Sequence, residues 1–101
     1  MEILKDRIRD RGYIDLVTHG NSMLPTIKGN EKVNVSKCEE ISIGDIIAYF
    51  FENNGRLDIV IHRMVLVRKD YVLAKGDNNN FIDPIRIPIS SILGVVYKYE
   101  V

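Results

Sequence analysis

The dipeptide Asn54-Gly55 stands between two long apolar stretches, residues 46–52 and 57–67. Asn-Gly is the strongest short hairpin signal, so the chain is predicted to turn back on itself here as two antiparallel strands. Residues 46–52 are apolar enough for a strand buried on both faces. Similar punctuation recurs along the chain. Lys28-Gly29-Asn30, Ser42-Ile43-Gly44-Asp45 and Arg68-Lys69-Asp70 read as turns, and residues 76–80 as a polar loop. Between them, residues 13–18, 32–36, 71–75 and 92–99 read as short strands. Ile14, Leu16 and Thr18 alternate with Tyr13, Asp15 and Val17, and Val33 and Val35 share a face. Pro84 and Pro88 keep the stretch around them extended and exclude a helix. Only residues 2–11 read as helical, with Ile3, Leu4 and Ile8 as a thin apolar stripe and Gly12 as the stop. A helix this short is marginal alone, so it is expected to pack on the domain or on a partner.

Many short strands and one helix predict a mainly β fold, a coiled and partly closed sheet. At 101 residues the chain is expected to be one domain, a helix over 1–12 and a β-rich core over 13–101. Lys plus Arg and Asp plus Glu are both 14, so there is no basic excess of the kind nucleic-acid binding needs. The single cysteine, Cys38, excludes an intramolecular disulfide and reads as a loop or edge residue. With no CxxC and two histidines, neither a metal site nor a cofactor is expected. No apolar run approaches the ~20 residues of a membrane helix, and residues 1–11 lack the apolar centre of a signal peptide.

The stretch Gly20-Asn21-Ser22-Met23-Leu24-Pro25-Thr26-Ile27 places a serine between a glycine and a proline. Gly20 permits backbone angles closed to other residues, and Pro25 restricts both itself and Leu24. Such a backbone presents a hydroxyl reproducibly, as a nucleophile requires. Three later stretches stand in order: Gly44-Asp45-Ile46-Ile47-Ala48-Tyr49, Ile61-His62-Arg63-Met64-Val65, and Lys75-Gly76-Asp77-Asn78-Asn79 with Asp83 beyond. Together the four resemble the boxes of the signal peptidase I family of serine peptidases, whose catalytic fold is shared with LexA-type self-cleaving repressors. The terminal stretch 87–96 resembles the closing strand of that fold. The resemblance covers residues 18–99.

A serine hydroxyl needs a base to take its proton as it attacks. Most bacterial relatives supply a lysine from the third box. The endoplasmic-reticulum and archaeal type supplies a histidine, and His62 followed by Arg63 resembles that type. The resemblance implies Ser22 as nucleophile, His62 as general base and Asp83 as the carboxylate that orients it. Ser22 and His62 are 40 residues apart, so only folding can join them. His19 is the rival base. Asp77, Gly20, Met23 and Arg63 are expected in support: Asp77 shaping its loop through backbone hydrogen bonds, Met23 packing under the nucleophile. Asp83-Pro84-Ile85-Arg86 departs from the relatives' Asp-Ser-Arg or Asp-Asp-Arg and leaves open whether Arg86 replaces their arginine. Many signal peptidases carry a hydroxyl residue two positions before the nucleophile, where this chain has Gly20.

What the resemblance implies is a serine endopeptidase acting on an extended leader or precursor peptide laid along a sheet edge. The alternatives are a LexA-like self-cleaving domain and a catalytically silent peptide-binding module. Without the family's usual anchor, a cytoplasmic location is expected, with peripheral contact to a membrane or a partner subunit as the alternative.

Overall fold

The computed structural model describes residues 2–37 and 40–99, so Cys38 lies outside the described residues. Seven strands form one antiparallel sheet in the order β1-β2-β7-β3-β4-β5-β6. They are β1 (Tyr13–Val17), β2 (Lys32–Ser36), β3 (Ile46–Asn53), β4 (Arg56–Val67), β5 (Tyr71–Lys75), β6 (Ile87–Pro88) and β7 (Ile92–Tyr99), preceded by the helix α1 (Glu2–Arg11). The fold is mainly β, and β1 and β6 are the edges of an unclosed sheet.

The β3–β4 hairpin forms where Asn-Gly predicts it. Asn53 pairs with Arg56, and Asn54 and Gly55 between them take φ of 52° and 80°. Two consecutive positive φ values match the right-handed twist of the flanking strands. β3 alternates perfectly between two cores. Ile46 and Ala48 join Ile14, Val33, Val35, Leu93 and Val96 on one face, with Phe50 packed against them. Ile47 and Tyr49 join Met64, Val72, Ala74, Ile87 and Val95 on the other. A strand flanked by a core on each side must be apolar at successive positions, as this one is.

α1 packs beside β1 and ends where the Gly12 N–H donates to the Ile8 carbonyl at 2.7 Å. Ile8 is buried and Leu4 packs against the same core, but Ile3 is 68 % exposed. The expected three-residue stripe is therefore a two-residue one. Leu4 and Ile8 are four apart and share a face, whereas Ile3 is turned ~100° from Leu4.

Of the apolar stretch 87–96, only the part from Ile92 belongs to the last strand. Ile87–Pro88 pairs with β5 at the sheet edge, and Ile89–Ser91 is a single 3₁₀ turn. An edge position suits Pro88, which has no N–H to donate. The chain then crosses to the middle of the sheet, where β7 pairs with β2 on one side and β3 on the other.

Candidate active site

The turn that carries Ser22 is the segment between β1 and β2, and Thr18 closes its base. The Thr18 N–H donates to the Glu31 carbonyl at 2.9 Å, and the Asn30 N–H donates to the Thr18 carbonyl at 2.7 Å. The Thr18 hydroxyl also lies 2.8 Å from the Lys28 carbonyl oxygen. Inside this neck the backbone winds tightly. The Leu24 N–H reaches the Asn21 carbonyl and the Ile27 N–H the Met23 carbonyl, at 3.2 and 2.9 Å. The Leu24–Pro25 peptide is cis, and Gly20 takes φ of 80°. Met23 and Ile27, four residues apart, both sink into the core. Ser22 is thus carried on a turn pinned at its neck and from below, with Met23, the next residue, buried in the core.

β4 carries His62 opposite Ile47 of β3. Directly opposed residues share a face, so His62 lies on the Tyr49 and Met64 side of the sheet. Its Nε2 is 3.0 Å from Ser22 Oγ and its Nδ1 is 2.6 Å from Asp83 Oδ2. Asp83 is held by its own N–H on the Ala74 carbonyl at 2.8 Å. The same Oδ2 accepts a second group, the Tyr49 hydroxyl, at 2.8 Å. An ionised carboxylate only accepts, so Nδ1 must be the protonated nitrogen. Nε2 then offers its lone pair to the Ser22 hydroxyl, the arrangement needed to withdraw that proton. Burial, together with the hydrogen bond to Asp83 and its negative charge, pushes the Tyr49 hydroxyl far above its ordinary pKa. It therefore stays a donor.

Asp77 does more than shape its loop. Arg63 clamps it with two bonds, Nε to Oδ1 at 2.8 Å and Nη2 to Oδ2 at 2.9 Å. The Thr26 hydroxyl donates to Oδ2 at 2.6 Å. The expectation of turn-type backbone bonds is corrected: the Asp77 carboxylate ties β4 to the Ser22 turn by side-chain contacts. Arg63 hydrogen bonds hold the Asp77 carboxyl below the usual carboxylate range, against the opposing effect of burial and with help from Thr26. Arg63 also donates to the Gly44 carbonyl at 2.7 Å, which fastens the β2–β3 connection to the same knot. Arg86 stacks on Tyr71, its guanidinium carbon 4.8 Å from the ring centroid. The arginine that pairs with a carboxylate at this site is Arg63.

The β5–β6 loop also touches the turn through its backbone. The Asn78 N–H donates to the Ser22 carbonyl at 2.8 Å, and the Asp77 N–H points at Met23 Sδ at 3.3 Å. Gly76 lies so close that a Cβ there would stand 2.6 Å from the Ser22 carbonyl oxygen. Tyr49 and Thr26 belong to the quoted boxes, yet no pattern along the chain signals that their hydroxyls meet Asp83 and Asp77.

Residues 3–97 match the family model described as Peptidase S24-like. The chain belongs to the Peptidase S24-like family. No curated protein matches it. In this family member a cleft of about 680 Å³ opens beside the serine. Leu16, Val17, His19 and Gly20 form one wall, Leu57, Ile59 and Ile61 the other, and Ser22 and His62 both reach it. His19 is exposed, and it is His62, not His19, that stands on the Ser22 hydroxyl. β4 pairs with β3 from Arg56 to Arg63 but with β5 only from Arg63 onward. Among the described residues, the earlier half of β4 therefore lacks a strand partner on its second edge, as does β1 on its outer edge.

Proposed function

We propose that this chain is a serine endopeptidase of the signal peptidase I type, in its histidine variant. The observation that carries the reading is the hydrogen-bonded series Ser22–His62–Asp83, with the first two groups in an apolar cleft between incompletely paired strands. An extended peptide hydrogen-bonds to such an edge and leaves alternate side chains in the cleft. Ser22 Oγ attacks the scissile carbonyl carbon as His62 Nε2 takes the hydroxyl proton. Asp83 accepts the Nδ1 hydrogen bond and stabilises the imidazolium. The oxyanion meets the Ser22 N–H; with Gly20 in place of a hydroxyl residue, a backbone N–H or a water completes its donors. His62 then protonates the leaving amine, and a water deprotonated by His62 releases the acyl group from Ser22.

The substrates on this reading are leader or signal-like peptides, met in the cytoplasm. No helix among the described residues is long and apolar enough to cross a membrane. Family membership also favours a self-cleaving module, as in LexA-type repressors, although those use lysine as the base. Incubating the purified protein with a fluorophosphonate and with a library of precursor peptides separates the readings. A peptidase is labelled at Ser22 and cuts peptides in trans. A self-cleaving module shows cuts in its own chain only. A silent binding module shows neither labelling nor cleavage.

A further inference from the structure

Tyr49 is the largest of the fully buried side chains, 2 % exposed. It does not line the cleft that Ser22 and His62 share, so it cannot touch a substrate lying there. Its hydroxyl nevertheless ends on Asp83 Oδ2, the one oxygen that also holds His62 Nδ1. A ring packed in the core is a rigid arm, so its hydroxyl fixes where that carboxylate points. A hydroxyl donating to a carboxylate also spreads its negative charge, which leaves less to hold a proton on the neighbouring imidazole.

Resting on the peptidase reading above, we infer that Tyr49 is a positioning residue of the Ser22–His62–Asp83 series. It aims the Asp83 carboxylate at Nδ1 and moderates the strength with which that carboxylate stabilises imidazolium. The series thus has a fourth member, reached through the same carboxylate oxygen that holds Nδ1 and itself buried in the core. Since a neutral donor is needed for this role, the upward displacement of the Tyr49 ionisation suits it.

Other charged groups stand around the site, among them Lys75, opposite Arg63 and close enough to act on Asp77. Arg63 and Asp77 pair with each other, and so do Arg56 and Asp58 along the β4 wall, with His19 and Lys28 across the cleft. Tyr49→Phe removes one oxygen and leaves all of these in place, along with the ring's packing.

The test is the rate of labelling by a fluorophosphonate as a function of pH, in the wild type and Tyr49→Phe. The plateau rate should fall about tenfold, and the acid limb should move to higher pH by about half a unit, a threefold change in the ionisation constant. Long-range ¹H–¹⁵N spectra of the ring nitrogens follow the same proton without any reagent. The chain has two histidines, so a His19→Gln variant assigns the His62 signals. In an Asp83→Asn background, Tyr49→Phe should no longer move them, because its route to the ring is gone. A plateau and limb unchanged in Tyr49→Phe, or an equal effect with Asp83 absent, would overturn the proposal. If the wild type itself is not labelled at Ser22, the peptidase reading fails and the proposal falls with it. A Tyr49→Phe protein that only melts earlier, with limb and spectra unmoved, makes the hydroxyl structural and also overturns it.

Discussion

Arg63 and Asp77 face each other through two parallel hydrogen bonds of 2.8 and 2.9 Å, side by side with the Ser22–His62–Asp83 series. Arg63 is the next residue after His62 on β4, and Asp77 lies on the loop whose backbone holds the Ser22 carbonyl. The ion pair therefore connects the strand that bears His62 to the turn that bears Ser22. A lysine carries the same charge but cannot form the fork. Arg63→Lys should leave the protein folded and lower fluorophosphonate labelling of Ser22 about tenfold, through displacement of the turn. Labelling at the wild-type rate would show that the pair does not position the serine.

The same pair sets a pH dependence of stability. The folded-state pKa of Asp77 lies below its unfolded value, so the folded state favours the carboxylate. The resulting stability is fully present above the unfolded value of about 3.9 and is lost as pH falls through the lowered folded value. Thermal melts between about pH 6 and pH 3 should show the midpoint dropping at the acid end. In Asp77→Asn that acid drop should be shallower, on a lower starting midpoint. Superimposable curves would mean that Asp77 contributes nothing to the linkage.

Ser22→Ala and His62→Ala should each abolish all but a trace of turnover while keeping the wild-type melting point. Members of one chemical unit are not additive, so the double variant should be little slower than either single. His19→Ala, which alters a side chain on the cleft wall, should retain the chemical step and change KM at most. If His19→Ala silences the protein and His62→Ala does not, the base has been misassigned.

Gly76→Ala tests the fit between the β5–β6 loop and the turn. The added methyl would stand 2.6 Å from a backbone oxygen of Ser22, which cannot swing aside as a side-chain end can. Overpacking of this kind costs about 1–3 kcal/mol, and the retreating turn should carry Ser22 away from His62. Urea unfolding and labelling should both register the change. Full activity with full stability would show that the two segments are looser than they stand here.

The helix supplies a further contrast. Ile8→Ala removes a buried side chain and should cost about 2–4 kcal/mol in urea unfolding. Ile3→Ala, at an exposed position of the same helix, should stay within about 0.5 kcal/mol of wild type. Equal losses at the two positions would mean that the whole stripe is covered.

Much of this architecture is written in short-range signals. Asn54-Gly55 needs only its own backbone preferences to make the β3–β4 turn. The alternation in β1 and β2 and the unbroken apolar run of β3 follow from which faces are covered. Ser22, His62 and Asp83 are singled out through the resemblance of their boxes, and the fold brings them within hydrogen-bond distance in one series. Asp77 was legible as important and misread in role, because a carboxylate after a glycine looks like a turn residue until its partner is known. Its partner Arg63 comes from another strand.

The sequence by itself determined the mainly β character, the hairpin and the N-terminal helix, and it supplied the hydroxyl, imidazole and carboxylate of Ser22, His62 and Asp83. These depend on dihedral preferences, periodicity and functional groups, each carried within a few residues. Only the tertiary structure decided that β7 enters the middle of the sheet, that Ile3 stays outside the core and that Arg63 clamps Asp77. It alone decided that Tyr49, 34 residues before Asp83, places its hydroxyl on the oxygen that holds His62. Those outcomes depend on which distant segments are packed together, and a contact between distant segments leaves no local pattern in either of them.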